Sequence, residues 1–252
     1  MSHTIAVINQ KGGVGKTTTV INIGAYLAKR GFSVLVVDLD PQANATSGLG
    51  VDKQQIDVGM YEVLLGGVSV DGVARDTNIV GLRVLPTNAS LATAEIDLAG
   101  EAKREYRLHN SMQNLVYDYI LIDCPPALGL LTVNALTAAD SVLIPVQAEY
   151  YALEGLGQLL EVIQMVRGGL NSNLEILGIV ATMYDLRTSL SDQVLKELQK
   201  HFGNKVFDTV IPRNVRLAEA PSFGRSILEH DKWSKGARSY KQLAKEIEKR
   251  AK

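Results

Sequence analysis

The chain has 252 residues, 46% hydrophobic and 21% charged, which excludes a disordered chain and leaves enough apolar surface for one continuous core. Its single cysteine, Cys124, excludes an internal disulfide and a one-chain zinc or iron–sulfur cage, and fits a reducing cytoplasmic setting. Net charge is −1, but residues 1–186 carry 11 Lys/Arg against 19 Asp/Glu and residues 187–252 carry 15 against 8, so the last quarter is basic and points to an anionic partner.

The N-terminus lacks the basic start and apolar stretch of an export signal, and no apolar run approaches the roughly 20 residues that span a bilayer. No Pro/Gly-rich linker or repeat divides the chain, so one cytosolic domain over 1–252 is expected.

The first apolar β-branched run, 4–9, reads as a strand and leads straight into Gln10, Lys11, Gly12, Gly13, Val14, Gly15, Lys16, Thr17 and Thr18. A helix is expected over 16–30. Glycines let successive backbone N–H groups face one point, and the helix N-terminus adds its dipole there, so that point suits a phosphate. Lys16 would neutralise β and γ oxygens, and the Thr17 hydroxyl is placed to ligate Mg²⁺. The spacing departs from G-x-x-x-x-G-K-[ST], because Gln10 stands at the first glycine position and a second lysine, Lys11, precedes the shifted glycines. A dinucleotide fold is disfavoured, since G-x-G-x-x-G is absent.

A second strand, 33–38, ends in Asp38. In extended backbone residues two apart share a side, so Asp40 can face the phosphate loop as well, before Pro41 stops the strand. Asp40 lies further into the loop and is the candidate for orienting an attacking water; Asp38 suits the water shell of Mg²⁺. The stretch 48–81 has the weakest pattern and yields no element. A strand follows at 82–86, then a helix over 104–116 and a strand over 119–123. Four hydrophobic residues before Asp123 make a Walker B arrangement; an isolated acid there is more often a turn or cap residue, but beside the phosphate loop and the Asp38/Asp40 pair Asp123 reads as holder of a metal-bound water.

Further on, helices are expected over 130–138, 152–167, 190–202 and 237–251, and strands over 141–146, 175–183 and 206–211. Alternating βαβα units with near-continuous Val/Ile/Leu strands predict an α/β fold, a doubly wound, mostly parallel sheet with helices on both faces. The last helix places Ala237, Tyr240, Ala244, Ile247 and Ala251 on one stripe, a docking face for the core.

The run from Lys11 to Thr18 resembles the deviant Walker A motif of the ParA/MinD family of P-loop ATPases. Asp38-Leu39-Asp40-Pro41-Gln42 and Asp123-Cys124-Pro125-Pro126 resemble its ParA branch, as do Gly129-Leu130-Leu131-Thr132, Ile144-Pro145-Val146, Glu149 to Gly155 and Ile211-Pro212-Arg213-Asn214, so the likeness to Soj-like partitioning ATPases covers nearly the whole chain. Ala43, Ala127 and Phe223 stand where Gly, Ser and His are common in the family. The resemblance implies ATP and Mg²⁺ as ligands, Lys11, Lys16 and Asp40 in catalysis, and a nucleotide-sandwich homodimer in which Lys11 reaches the partner subunit's phosphates. It places adenine near Met183, Pro212 and Asn214; Met183 serves equally well as core packing.

The resemblance also implies ATP-dependent, non-specific binding of double-stranded DNA on the nucleoid and a ParB-type activating partner. Basic residues after 186 suit phosphate backbones without reading sequence; any single one of them is better read as part of a solvated helical face, and the resemblance shifts the weight toward Arg187 and Arg216, which follow the switch strands. The alternative is a MinD-like membrane-positioning ATPase. Such relatives end in a bulky amphipathic anchor, whereas the stripe here is small and alanine-rich, so no membrane partner is expected.

Overall fold

A computed structural model describes residues 2–149 and 154–251. Its seven strands are β1 (His3–Val7), β2 (Val34–Asp38), β3 (Arg75–Asp76), β4 (Leu82–Leu85), β5 (Tyr119–Asp123), β6 (Ser141–Gln147) and β7 (Glu175–Thr182). They form one sheet in the order β3-β4-β2-β5-β1-β6-β7, parallel throughout except for the antiparallel edge pair β3/β4. The long helices are α1 (Lys16–Lys29), α2 (Leu130–Ala138), α3 (Glu154–Gly169), α4 (Ser189–Phe202) and α5 (Lys235–Arg250).

Both faces of the sheet are covered, and the strands show why. Along β2, Val34 and Val36 pack into the core shared with α1 and α5, while Leu35 and Val37 pack into the core shared with α2 and α3. A period of two with apolar residues at both phases can be satisfied only by two buried faces. The α5 stripe docks as expected: Ala237, Tyr240, Ala244 and Ile247 are buried, joined by Leu243. No described helix is long and apolar enough to cross a membrane.

Three expectations need correction or completion. The strand expected over 206–211 is reduced to isolated parallel bridges, Ile179 with Val206 and Tyr184 with Pro212. Between them the amides of Asp208 and Thr209 donate to the Glu246 carboxylate on α5 (3.1 and 3.5 Å), which takes the donors a ladder would need. The helix expected over 104–116 shrinks to a 3₁₀ turn, Arg104–Tyr106, and a short helix, Arg107–Ser111, after which Asn114 adopts φ 72° and ends any continuation. The featureless stretch 48–81 contains β3, a 3₁₀ turn at Lys53–Gln55 and short helices at Met60–Leu65 and Val70–Val73. Of the helix expected over 152–167, residues 152 and 153 lie outside the described residues.

The topology puts β1 inside the sheet, paired with β5 on one side and β6 on the other. Chain direction then crosses over β5 to reach β2 through α1, so the loop after β1 opens at the carboxyl edge beside the ends of β2 and β5.

Candidate active site

The loop after β1 is fixed at its start by Asn9, whose amide donates to the Pro145 carbonyl (2.7 Å) while its Oδ1 accepts the Lys11 amide (2.9 Å). Gly13 (φ 75°) and Gly15 (φ 90°) take left-handed conformations that side chains resist, and the space in front of Gly12, Gly13 and Gly15 is open. The Thr182 hydroxyl ties the loop to β7 through the Val14 carbonyl (2.8 Å). The first-turn amides of α1 therefore face an open concavity, a site built for an anion.

The two lysines of this loop have opposite surroundings. Lys16 is buried, with its Nζ curled back to donate to the Lys11 carbonyl (3.3 Å). Burial lowers its pKa, and Asp123, Cys124 and Asp40 oppose that shift. Lys11 is half exposed and points away, its Nζ 3.6 Å from Glu149, which also accepts from Gln147 (2.6 Å) and Arg213 (3.3 Å).

Three acids face the loop from neighbouring strand tips. Asp38 and Asp123 are register partners at the ends of β2 and β5, and both are fully buried. Oδ2 of Asp38 accepts the Thr46 amide (2.7 Å) and hydroxyl (2.6 Å), and Oδ1 accepts the Asp40 amide (3.3 Å). Burial still pushes Asp38 up to about 6, against the pull of those hydrogen bonds. Neither carboxylate oxygen of Asp123 has a hydrogen-bond partner among the described residues. Burial, then the Asp38 charge beside it, raises Asp123 well above the usual carboxylate range, against the pull of the nearby Thr17 hydroxyl and of Lys16. Asp40, at the rim, accepts the Gln42 amide (3.0 Å).

Two adjacent buried carboxylates, one without partners, suit a cation. They fit Mg²⁺, which is commonly held by few protein groups, its own waters and substrate phosphates. Thr17, in the first turn of α1, and Asp38 and Asp123, at the paired ends of β2 and β5, could hold it.

Met183, Pro212 and Asn214 come together in a cleft of about 350 Å³ beside the loop, walled also by Val14, Thr18 and Tyr240. Met183 sits at φ 51°, an uncommon conformation for a side chain of its size, held beside Tyr184, whose amide donates to the Ile211 carbonyl and whose carbonyl accepts the Arg213 amide (both 3.0 Å). Asn214 spends its Oδ1 on the Arg216 amide (2.9 Å).

The two arginines singled out from sequence lie on the surface and already have acids. Arg187 grips Asp185 through Nε (2.9 Å) and Nη2 (2.7 Å), holding that carboxyl well below its usual range. Arg216 pairs with Glu219 (2.9 Å) and lies 3.8 Å from Asp231. Sequence reasoning missed Asn9, Thr46, Glu149 and Thr182. Only Asn9, directly before the loop, carried a local clue.

Residues 2–176 match the family model described as an AAA domain. The chain is 53% identical to the sporulation initiation inhibitor protein Soj of Bacillus subtilis, covering 98% of each chain. It is 53% identical to the chromosome-partitioning ATPase Soj of Thermus thermophilus, over 96% of this chain and 94% of that one. Among solved structures, cobyrinic acid a,c-diamide synthase of Mycobacterium smegmatis with bound ADP and magnesium superposes with a TM-score of 0.86 at 41% identity, covering 97% of this chain and 93% of that one.

Proposed function

This chain belongs to the ParA/MinD family of P-loop ATPases, among its Soj-like partitioning ATPases, and from that premise we propose that it works as a DNA-bound switch set by ATP and reset by hydrolysis. It is a partitioning ATPase that uses ATP and Mg²⁺. In the proposed cycle ATP joins two copies face to face, the dimer binds double-stranded DNA without reading sequence on the nucleoid, and hydrolysis stimulated by a ParB-type partner releases it. The shared sheet supports reading 1–252 as one P-loop domain.

The observation that carries this reading is the pair of buried carboxylates, Asp38 and Asp123, set below an open amide-lined loop with Lys16 inside it. Such a group of charges suits a polyphosphate with a cation. The α- and β-phosphates would lie on the amides of 12–18, and Lys16 would neutralise the β and γ oxygens. Magnesium, when bound, would supply positive charge that offsets the negative charge of the phosphate oxygens. The Thr17 hydroxyl would be its direct protein ligand, with Asp38 and Asp123 acting through water. Asp40 would turn a water in line with the γ-phosphorus, so that the bond to the ADP oxygen breaks as the bond to water forms. Lys11, held outside its own loop by Glu149, is free to exchange that partner for the γ-phosphate of a second copy, adding charge where it develops in the transition state. Adenine would lie on Met183 and Pro212, with the Asn214 amide left to donate to its edge.

The test is Asp40→Ala. The variant should bind ATP with affinity within about threefold of the parent, lose turnover by roughly a hundredfold or more, and run as a dimer with ATP by light scattering. A variant that stays monomeric with ATP, or keeps its turnover, removes Asp40 from this role.

A further inference from the structure

Thr46 lies on the short helix Asn44–Gly48, eight residues past Asp38, and is fully buried. It makes more than one hydrogen bond to the site. Its amide (2.7 Å) and its hydroxyl (2.6 Å) both donate to Oδ2 of Asp38. The same hydroxyl oxygen accepts the Thr87 amide (3.1 Å) from the segment after β4. A hydroxyl has one proton, and with Thr87 on its lone pair that proton is committed to Asp38. The other oxygen of Asp38 accepts the Asp40 amide (3.3 Å), so the chain of contacts runs from β4 through Thr46 and Asp38 to the backbone of the residue proposed to orient water.

This arrangement is more than a way of filling space. Asp38 is buried beside Asp123, and each hydrogen bond to its ionised form offsets the cost of keeping that charge out of water. A carboxylate with two donors on one oxygen is also fixed in rotation, which fixes where its second oxygen can hold the Asp40 amide.

We propose that Thr46 is a positioning residue for ATP hydrolysis: its hydroxyl sets the angle of the Asp38 carboxylate, and through it the Asp40 loop, without touching nucleotide. The inference rests on the role given to Asp40 above. It separates Thr46 from the residues that bind phosphate, since none of its hydrogen bonds goes to the loop 10–18.

Thr46→Val keeps the shape and the β-branch and deletes only the hydroxyl; Thr46→Ser keeps the hydroxyl and deletes a methyl. Single-turnover hydrolysis, ATP affinity by calorimetry and thermal melting are measured on the full chain for both, with Asp40→Ala beside them. The valine variant should lose roughly ten- to a hundredfold in the hydrolysis rate while ATP affinity stays within about threefold, and serine should restore the rate to within about threefold of the parent. A valine variant hydrolysing within twofold of the parent overturns the proposal. So does a serine variant as slow as valine, which would make the effect one of packing, and so does a loss of ATP affinity equal to the loss of rate. If the valine variant does not fold, Thr46→Ala carries the same rate and affinity criteria. An active Asp40→Ala would sink the reading of Asp40 itself, whereas an inactive Asp40→Ala with an unaffected Thr46→Val would remove Thr46 alone.

Discussion

The carboxyl edge of the sheet and the basic surface of the last quarter treat charge in opposite ways. At the edge, Lys16, Asp38 and Asp123 are buried, and Asp123 has no hydrogen-bond partner among the described residues. On the surface, Arg187 and Arg216 are exposed, and each is matched by an acid from its own segment, Asp185 or Glu219. Buried, unanswered charge is costly, and a fold keeps it where a ligand completes it. Exposed, answered charge costs little and waits on an exchange of partners. The first region therefore announces its ligand from geometry, while the second shows only what a polyanion would have to displace.

The largest effects should come from the buried side. Lys16→Ala removes the buried cation of the loop, and ATP affinity by calorimetry should fall by roughly a hundredfold or more, since a charge-assisted contact in a partly dry site is lost. Retention of affinity within tenfold would erase the distinction drawn between buried and surface charge. A second consequence concerns stability without nucleotide. The folded chain holds Asp123 well above the ordinary carboxylate value and Asp38 at about 6, so between about pH 4 and those raised values it binds more protons than the unfolded chain. The sign follows: stability is full below the ordinary value and is lost as pH rises through the raised ones. The melting temperature of the nucleotide-free protein should therefore rise as pH is lowered from about 7 toward 4. Asp123→Asn should flatten that slope and raise the melting point at pH 8 while impairing hydrolysis. An unchanged slope in Asp123→Asn would mean that another group carries the linkage.

The same contrast explains what was legible beforehand. The phosphate loop is local: glycines, lysines and the helix start occupy nine consecutive positions, Gln10 to Thr18, and their conformation follows from their own chemistry. Asp38 and Asp123 were legible because an apolar run ends in each, and a parallel sheet brings such ends to one edge. What escaped depends on partners far along the chain. Thr46 gains its place only when Thr87 and Asp38 meet on it, and Lys11 finds Glu149 across 138 positions. The run 206–211 looks like a strand by composition, yet Glu246 claims its middle amides. Between 48 and 81 each helix has six residues or fewer, too short to complete the two turns over which a 3.6-residue period can be seen. Besides Asn9, a second local clue was overlooked: Asp185 stands two residues before Arg187, the spacing at which a loop acid reaches the amide and guanidinium that follow.

The smallest expected effect is on that surface pair, and it bears on whether the basic face is latched. If Arg187 binds a DNA phosphate, it must first leave Asp185, so the acid competes with the phosphate in every encounter. Asp185→Asn removes the competitor without adding a positive group. Retention of double-stranded DNA at modest salt, with ATP present, should then strengthen by about two- to threefold, while Arg216→Ala weakens it by about the same factor or more and lowers the dependence on salt by about one phosphate contact. ATP affinity should stay unchanged in both, because neither side chain lines the base cleft or the phosphate loop. If Asp185→Asn leaves DNA retention as it was while Arg216→Ala reduces it, the anionic partner is met by the 215–219 helix alone, and the loop after β7 keeps its ion pair for the fold.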